Sequence, residues 1–187
     1  MAFSVVGIGG SLRADSQSGR ALQAVLTGAR GAGAQVRAIT GEDLVLPFFD
    51  PAQTERSERA LALTEALRAA DGVVLVSPGY HGTISGLMKN ALDYVEDLRT
   101  DARPYLDSRA VGCVAVAQGW QASVTTLTAL RSVVHAVRGW PTPLGASINS
   151  ADVSFGADGD CSDEQVLATL KLIGAQVVDF AAAKANE

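Results

Sequence analysis

Short apolar runs alternate along the chain with longer segments in which apolar residues recur every three or four positions. The short runs are typical of buried strands, and the longer spacing is typical of amphipathic helices. The pattern predicts five strands, at Phe3–Ile8, Gln35–Ile39, Gly72–Val76, Ala110–Ala117 and Thr142–Ile148. It predicts five helices, at Ser18–Gly31, Glu55–Ala70, Ile84–Val95, Ala122–Arg138 and, after a cap at Ser162, up to Ala183.

The alternation of strands and helices predicts a single α/β domain over residues 1–187, built as a doubly wound parallel sheet of five strands. The glycines after the first strand distinguish between the two common nucleotide-binding versions of this fold. Gly7 and Gly9 are followed by Leu12 where a dinucleotide loop needs a third glycine, and no Gly-Lys-Ser/Thr of a P-loop follows. The sequence therefore favours the flavodoxin-like version, with strand order 2-1-3-4-5.

The loop after the first predicted strand has the composition of a phosphate site. It reads G-G-S-L-R-A-D-S-Q-S over Gly9–Ser18. Three hydroxyls can donate hydrogen bonds, Arg13 can place two donors on phosphate oxygens, and the helix that follows turns its positive end to the same place. The sequence predicts a monophosphate site at Ser11, Arg13, Ser16 and Ser18.

A second loop follows the third predicted strand, at the same edge of the sheet. The segment Ser77–Tyr94 reads S-P-G-Y-H-G-T-I-S-G-L-M-K-N-A-L-D-Y. Gly79 and Gly82 let the backbone approach a flat ring closely, and ligands of open α/β sheets bind at the carboxyl ends of the strands. Together the two loops predict a mononucleotide cofactor lying across neighbouring strand ends.

Composition narrows the possible partners. Apolar residues make up 48% of the chain and charged residues only 19%, which indicates surface buried between subunits. A net charge of −5 without a basic cluster argues against nucleic acid and anionic membranes as partners. The N-terminus lacks a basic region and an apolar stretch of signal-peptide length, so a cytoplasmic location is expected. Cys113 and Cys161 lack metal-ligand spacing, and no metal site is predicted.

The two motifs Gly10–Ser16 and Pro78–Tyr94, in this order and at this separation, strongly resemble the NADPH-dependent FMN reductase family, which includes quinone, chromate and azo-dye reductases. The resemblance implies FMN at the ends of the first, third and fourth strands, and homodimers or homotetramers in which a neighbouring subunit helps to enclose the flavin. By position it implies that the phosphate contacts are Ser11, Arg13, Ser16 and Ser18. It implies that the segment along the isoalloxazine ring is Pro78, Gly79, Tyr80, His81, Gly82 and Thr83.

The loop after the fourth strand is expected to offer backbone donors where a reduced flavin gathers negative charge. Its residues are Gln118, Gly119 and Trp120. Many members of the family carry Glu at the position of Gly79 and Asn at that of His81. We therefore expect Gly79 to border the substrate face of the ring, and the acceptor of this chain to differ accordingly.

The function implied is transfer of a hydride from NADPH or NADH to FMN, followed by electron transfer to a small-molecule acceptor. The sequence leaves that acceptor open: free FMN destined for a flavin-dependent monooxygenase, a quinone, an azo compound or a metal oxyanion. The alternative is a non-enzymatic, flavodoxin-like electron-transfer protein that uses no nicotinamide. No residue is predicted to act as a catalytic acid or base, because the cofactor carries out the difficult chemistry.

Overall fold

A parallel sheet forms the centre of the molecule and carries helices on both faces. The computed structural model describes residues 2–157 and 159–186. The strands are β1 Ser4–Gly9, β2 Gln35–Thr40, β3 Gly72–Tyr80, β4 Thr83–Ile84, β5 Ala110–Ala117, β6 Trp140–Pro141 and β7 Ala146–Asn149. The helices are α1 Gln17–Gly31, α2 Glu58–Ala69, α3 Gly86–Asp93, α4 Trp120–Ala136 and α5 Glu164–Lys184, and short 3-10 helices occupy Gly41–Leu44 and Tyr94–Leu98.

The strand order is β2-β1-β3-β5-β6, with β7 also paired to β5, and all of these pairs are parallel. The order of the five strand positions across the sheet is therefore the predicted 2-1-3-4-5. The fifth position is shared by two short strands, so the prediction of one continuous strand over Thr142–Ile148 is wrong. Pro141 and Pro143 are the physical reason, because proline has no N–H to continue a ladder of hydrogen bonds.

The third strand is longer than predicted. Instead of ending at Val76 it continues to Tyr80 and folds back through His81 and Gly82 into β4, with Tyr80 opposite Thr83. Both turn residues have positive φ, 51° and 84°, as a two-residue type I′ hairpin requires. The prediction that Pro78, Gly79 and Tyr80 lie in a turn is therefore wrong, because they belong to the strand.

Three predicted helix starts are also displaced. Helix α3 begins at Gly86 instead of Ile84, and α2 begins at Glu58 instead of Glu55. Helix α4 begins at Trp120, so this residue belongs to the first turn of a helix and not to a loop. In each case tertiary pairing or a capping residue fixes a boundary that periodicity leaves uncertain by a few residues.

The cap of α5 is Asp163, one residue later than the predicted Ser162. The Asp163 carboxylate accepts the N–H groups of Gln165 and Val166 at 2.9 and 3.1 Å. The Ser162 hydroxyl instead accepts the N–H of Ser154 at 2.9 Å. A carboxylate is the better partner for the positive end of a helix, which accounts for the difference.

At the amino ends of the strands, a buried arginine joins α2 to β5. Arg109 is 1% exposed and donates to the backbone carbonyls of Ala70 and Arg68, both at 3.0 Å. Burial lowers the pKa of Arg109 to about 10, which still leaves the guanidinium charged at pH 7. Because these carbonyls belong to the end of α2, they carry the negative end of that helix.

Helices α1 and α5 lie on the same face of the sheet and approach each other very closely. A Cβ atom on Gly28 would lie 2.0 Å from the carbonyl oxygen of Lys171, and one on Gly174 would lie 2.1 Å from that of Val25. Each glycine thus allows the backbone of the other helix to pass. By length and hydropathy α5 also qualifies as a membrane span; 33% of its most apolar window is buried, and the buried side packs on α1 and the sheet.

We predict that Gly174→Ala destabilises the protein by about 1 to 3 kcal/mol, because overpacking outweighs the roughly 1 kcal/mol that alanine gains over glycine in a helix. Urea unfolding followed by circular dichroism measures the free energy of unfolding. Gly31→Ala is the matched control, since a Cβ there meets nothing within 4 Å. Equal effects of the two changes would show that the α1–α5 contact does not require glycine.

Candidate functional site

Three segments meet at the carboxyl ends of β1, β3 and β5 and enclose a cleft of about 540 Å³, which we call the main cleft. It lies where the topology of the sheet reverses, the usual position of ligands in this architecture. Nine predicted site residues line it, namely Ser11, Arg13, Ser16, Ser18, Pro78, Gly79, Tyr80, His81 and Gln118. The structure thus brings the two predicted loops together at one site.

A second cleft, also of about 540 Å³, opens beside the first between the β3–β4 hairpin and the start of α4. We call it the side cleft. It contains the predicted residues Gly82, Gly119 and Trp120, and shares His81, Gln118 and Ala122 with the main cleft. Thr83 lines neither cleft, because it lies on β4.

The three serines at the start of α1 are buried but border the main cleft. Ser16 caps α1 by accepting the N–H of Gly19 at 3.0 Å, and Ser11 accepts the N–H of Arg13 at 3.2 Å. Both hydroxyls therefore keep their protons available for a ligand. The Ser18 hydroxyl donates to Ser16 at 3.4 Å, a long bond that a stronger acceptor would replace.

Arg13 supplies a positive charge that is not neutralised within the described residues. Its side chain is exposed and forms no ion pair there. The nearby carboxylate of Asp15 lies 3.7 Å from the guanidinium of Arg20. The N–H groups of Gln17 and Ser18, in the first turn of α1, also lack partners within 2–157 and 159–186. A phosphate would find a cation, hydroxyls and helix N–H donors here.

The start of α4 forms another positive region, where the main cleft and the side cleft meet. Its N-cap is Gly119, with φ of 119°, and glycine has no side chain to accept the first-turn N–H groups. The Gly119 N–H itself donates to Oδ1 of Asn149 at 2.7 Å, and Asn149 donates from Nδ2 to Asp152 at 2.7 Å. Asn149 therefore fixes the loop before α4. Sequence reasoning missed it, although its place after the fifth predicted strand was a signal.

Two serines connect the hairpin to the first loop. The N–H of Ser85 donates to the hydroxyl of Ser77 at 3.1 Å, and the hydroxyl of Ser85 donates to the carbonyl of Gly10 at 2.7 Å. The same Ser85 hydroxyl caps α3 by accepting the N–H of Met88 at 3.1 Å. Neither serine was predicted to matter, because both lie within a motif whose polar residues were assigned to the ligand.

Packing favours glycine at position 79, while Gly79 itself lines the main cleft, and its expected place beside the substrate face stays a prediction. A Cβ on Gly79 would lie 2.6 Å from the hydroxyl of Thr126 and 2.9 Å from Cβ of Ala117. It would thus point at α4 and β5. Any larger residue would push the start of α4 away from β3, which changes the shape of both clefts.

Several further residues line the main cleft without having been predicted, namely Asp15, Gln17, Val116, Ala117, Ala122 and Ser150. The side chain of Gln17 also holds Phe155, accepting its N–H at 2.7 Å and donating to its carbonyl at 3.3 Å. The segment after β7 is thereby attached to the start of α1. The only feature of the sequence that could have indicated a role for Gln17 is its place next to the predicted phosphate loop.

Neither cysteine lines the two clefts. Cys113 lies within β5 and is 1% exposed, and burial raises its pKa to about 12. The Cys113 thiol therefore stays protonated at pH 7.

The residues of the main cleft fit FMN. Hydroxyl protons, a free guanidinium and unpaired helix N–H groups suit a phosphate dianion, and the second positive helix end, at α4, suits the part of the ring that gains negative charge on reduction. The volume is within the range of cofactor pockets. Pro78 and Gly79 place strand backbone, without a long side chain, along one wall.

Comparison with known proteins supports this fit. The family model for NADPH-dependent FMN reductases matches residues 3–152. The FMN-dependent NADPH-azoreductase of Staphylococcus haemolyticus (strain JCSC1435) is 33% identical over 118 residues, which cover 62% of this chain and 59% of that protein. The chain spans about three-fifths of the length of the curated relatives it matches first.

Solved structures show the same fold. The flavoenzyme NAD(P)H:(acceptor) oxidoreductase FerB from Paracoccus denitrificans has a TM-score of 0.78 at 21% identity, over 97% of this chain and 98% of that one. A flavodoxin from the domain Archaea has a TM-score of 0.65 at 9% identity, over 96% and 98% of the two chains. The flavodoxin-like fold is confirmed, and, since the family model covers more than half of it, the chain belongs to the NADPH-dependent FMN reductase family.

Proposed function

We propose that the protein is an NAD(P)H-dependent reductase that holds FMN in the main cleft and passes electrons to a small-molecule acceptor. The observation that carries the proposal is the meeting of the serine- and arginine-bearing loop with the end of β3 and the start of α4 around one cleft. Family membership adds independent support. The azoreductases among the relatives support a small organic acceptor.

FMN, when bound, supplies the ability to take a hydride from a nicotinamide and to give up electrons to another molecule. The residues of the chain position the cofactor and supply charges and hydrogen-bond donors around it. Arg13, Ser11 and Ser16 bind the phosphate, and the wall formed by Pro78 and Gly79 orients the flat ring. The uncapped first turn of α4 stabilises negative charge, since the donors are in place before the charge develops.

The other candidate is a flavodoxin-like carrier, and the fold alone does not separate it from a reductase. A reductase is favoured because the main cleft continues into the side cleft, which leaves room for a second small molecule beside a bound ring. The homodimer or homotetramer, the delivery of reduced FMN to a monooxygenase and the cytoplasmic location stay predictions.

We predict that anaerobic addition of NADPH or NADH bleaches the absorbance near 450 nm of the FMN-loaded protein. Stopped-flow absorbance measures the rate, and free FMN at the same concentration is the control. A flavodoxin-like electron carrier, which does not use nicotinamide, would show no such loss of absorbance in the stopped-flow experiment. That result would overturn the proposal while leaving the FMN site intact.

We predict that Arg13→Ala weakens FMN binding by about ten- to a hundredfold, because a charge-assisted hydrogen bond contributes about 1.5 to 3 kcal/mol. Fluorescence titration of the apoprotein measures the dissociation constant. Arg30→Ala is the matched control, since Arg30 is an exposed arginine at the other end of the same helix. If both variants bind FMN like the parent protein, Arg13 does not hold the phosphate.

A further inference from the structure

We propose that Asn149 is a positioning residue for the flavin and acts through the peptide group between Gln118 and Gly119. By holding that peptide in one orientation, Asn149 makes the carbonyl of Gln118 the acceptor for N3–H of the flavin ring. The inference rests on the proposed function, because it assumes FMN in the main cleft. It deepens that function by naming how the chain recognises one edge of the ring.

The side chain of Asn149 is held in a single orientation by its partners. Asn149 is the last residue of β7 and is only 6% exposed. Its Oδ1 atom accepts the N–H of Gly119 at 2.7 Å and the N–H of Ala151 at 3.1 Å, while its Nδ2 atom donates to Asp152 at 2.7 Å. The reversed amide would place Nδ2 against two N–H donors and Oδ1 against a carboxylate. The hydrogen bonds therefore allow only the observed orientation.

The bond to Asn149 fixes the direction of a whole peptide group. The described residues contain no cis peptide bond, and in a trans peptide the C=O of Gln118 points opposite to the N–H of Gly119. Since that N–H faces Asn149, the carbonyl of Gln118 faces away from β7. It accepts no hydrogen bond from the described residues, and Gln118 lines both clefts. The carbonyl is thus available to a ligand.

Gly119 explains why this peptide needs to be held. Its φ is 119°, a value that residues with a side chain rarely adopt, although a Cβ there would meet nothing within 4 Å. Glycine is therefore favoured here by backbone conformation and not by packing. Because a peptide next to glycine rotates easily, a hydrogen bond from a buried side chain is needed to keep one orientation.

The groups beside this carbonyl complement the pyrimidine edge of a flavin. That edge carries two carbonyl oxygens with N3–H between them. The chain offers the Gln118 carbonyl next to the first-turn N–H groups of α4, at Trp120, Gln121 and Ala122, which have no acceptor in the described part of the chain. An acceptor beside donors is what this edge requires. A peptide turned the other way would present only donors and would leave N3–H without a partner.

A flavin methylated at N3 tests the recognition directly. We expect the apoprotein to bind FMN at least about tenfold more tightly than N3-methyl-FMN, because the methyl group removes the donor and leaves the Gln118 carbonyl unpaired. Fluorescence titration measures both dissociation constants. Equal affinities would overturn the proposal.

Asn149→Ala should reduce this discrimination to about twofold or less, because the released peptide can adapt to either flavin. A residue that supported only the fold would weaken both flavins equally and leave their ratio unchanged, which would overturn the proposal. Asn90→Ala is the matched control. Asn90 likewise fixes a loop, accepting the N–H of Phe49 and donating to the carbonyl of Pro47, both at 2.9 Å, but lines neither cleft. Its loss should leave the ratio as in the parent protein.

Exchanging two side chains tests whether Asn149 and Asp152 act as a pair. Asn149→Asp alone places two carboxylates together and should weaken FMN binding by about tenfold or more. The double variant Asn149→Asp, Asp152→Asn restores one donor and one acceptor at unchanged net charge. We expect it to bind FMN within about threefold of the parent protein and to keep the discrimination. Circular dichroism checks the fold of each variant, and a folded double variant as weak as the single one would overturn the proposal.

None of these measurements uses a nicotinamide, so this inference and the proposed function fail separately. If FMN binds with the expected discrimination but NADPH and NADH do not reduce it, the proposed reductase is wrong and the role of Asn149 holds. If a nicotinamide reduces the flavin but N3-methyl-FMN binds as tightly as FMN, only the role of Asn149 is wrong.

Discussion

The hydrogen bond from the hydroxyl of Ser85 to the carbonyl of Gly10, at 2.7 Å, joins the two loops of the candidate site. Through it the loop before α1 is attached to the cap of α3, and the Ser77 hydroxyl attaches the same residue to β3. The contact is possible because Gly10 has no side chain, since a Cβ there would lie 2.8 Å from the Ser85 oxygen. The loop before α1 and the end of β3, which both line the main cleft, are therefore held at a fixed separation, as preorganised binding requires.

The polar groups at the helix ends are hydrogen-bonded at one end of the sheet and unpaired at the other, among the described residues. At the amino ends of the strands, Arg109 satisfies the last carbonyls of α2. At the carboxyl ends, the first turns of α1 and α4 leave N–H groups without partners in the described part of the chain, around an exposed Arg13. Unpaired donors cost stability unless a ligand or water accepts from them. The polar groups at the amino ends of the strands thus pair within the fold, while those at the carboxyl ends leave donors available to a ligand.

Much of the fold could be predicted from the sequence, because the central strands β1, β3 and β5 are buried on both faces and therefore appear as uninterrupted apolar runs. The candidate phosphate loop stands out in the sequence because its hydroxyls and its arginine are close together along the chain. The role of Gly79 could not, since it depends on Thr126, a residue of α4 that is distant in sequence. Proline and glycine at positions 78 and 79 also indicated a turn, whereas pairing with β5 extends the strand. Asn149 acts through a contact across the fold.

The close passage of α1 and α5 affects how the protein matures on the ribosome. Helix α1 emerges early and α5 emerges after every strand, yet the backbones of the two meet at Gly28 and Gly174. Until α5 is synthesised, the apolar side of α1 that it will cover stays open to water or to chaperones. The loop Gly9–Ser16, which lines the main cleft, leads directly into α1. We therefore expect this loop to reach its final geometry only after α5 has been synthesised.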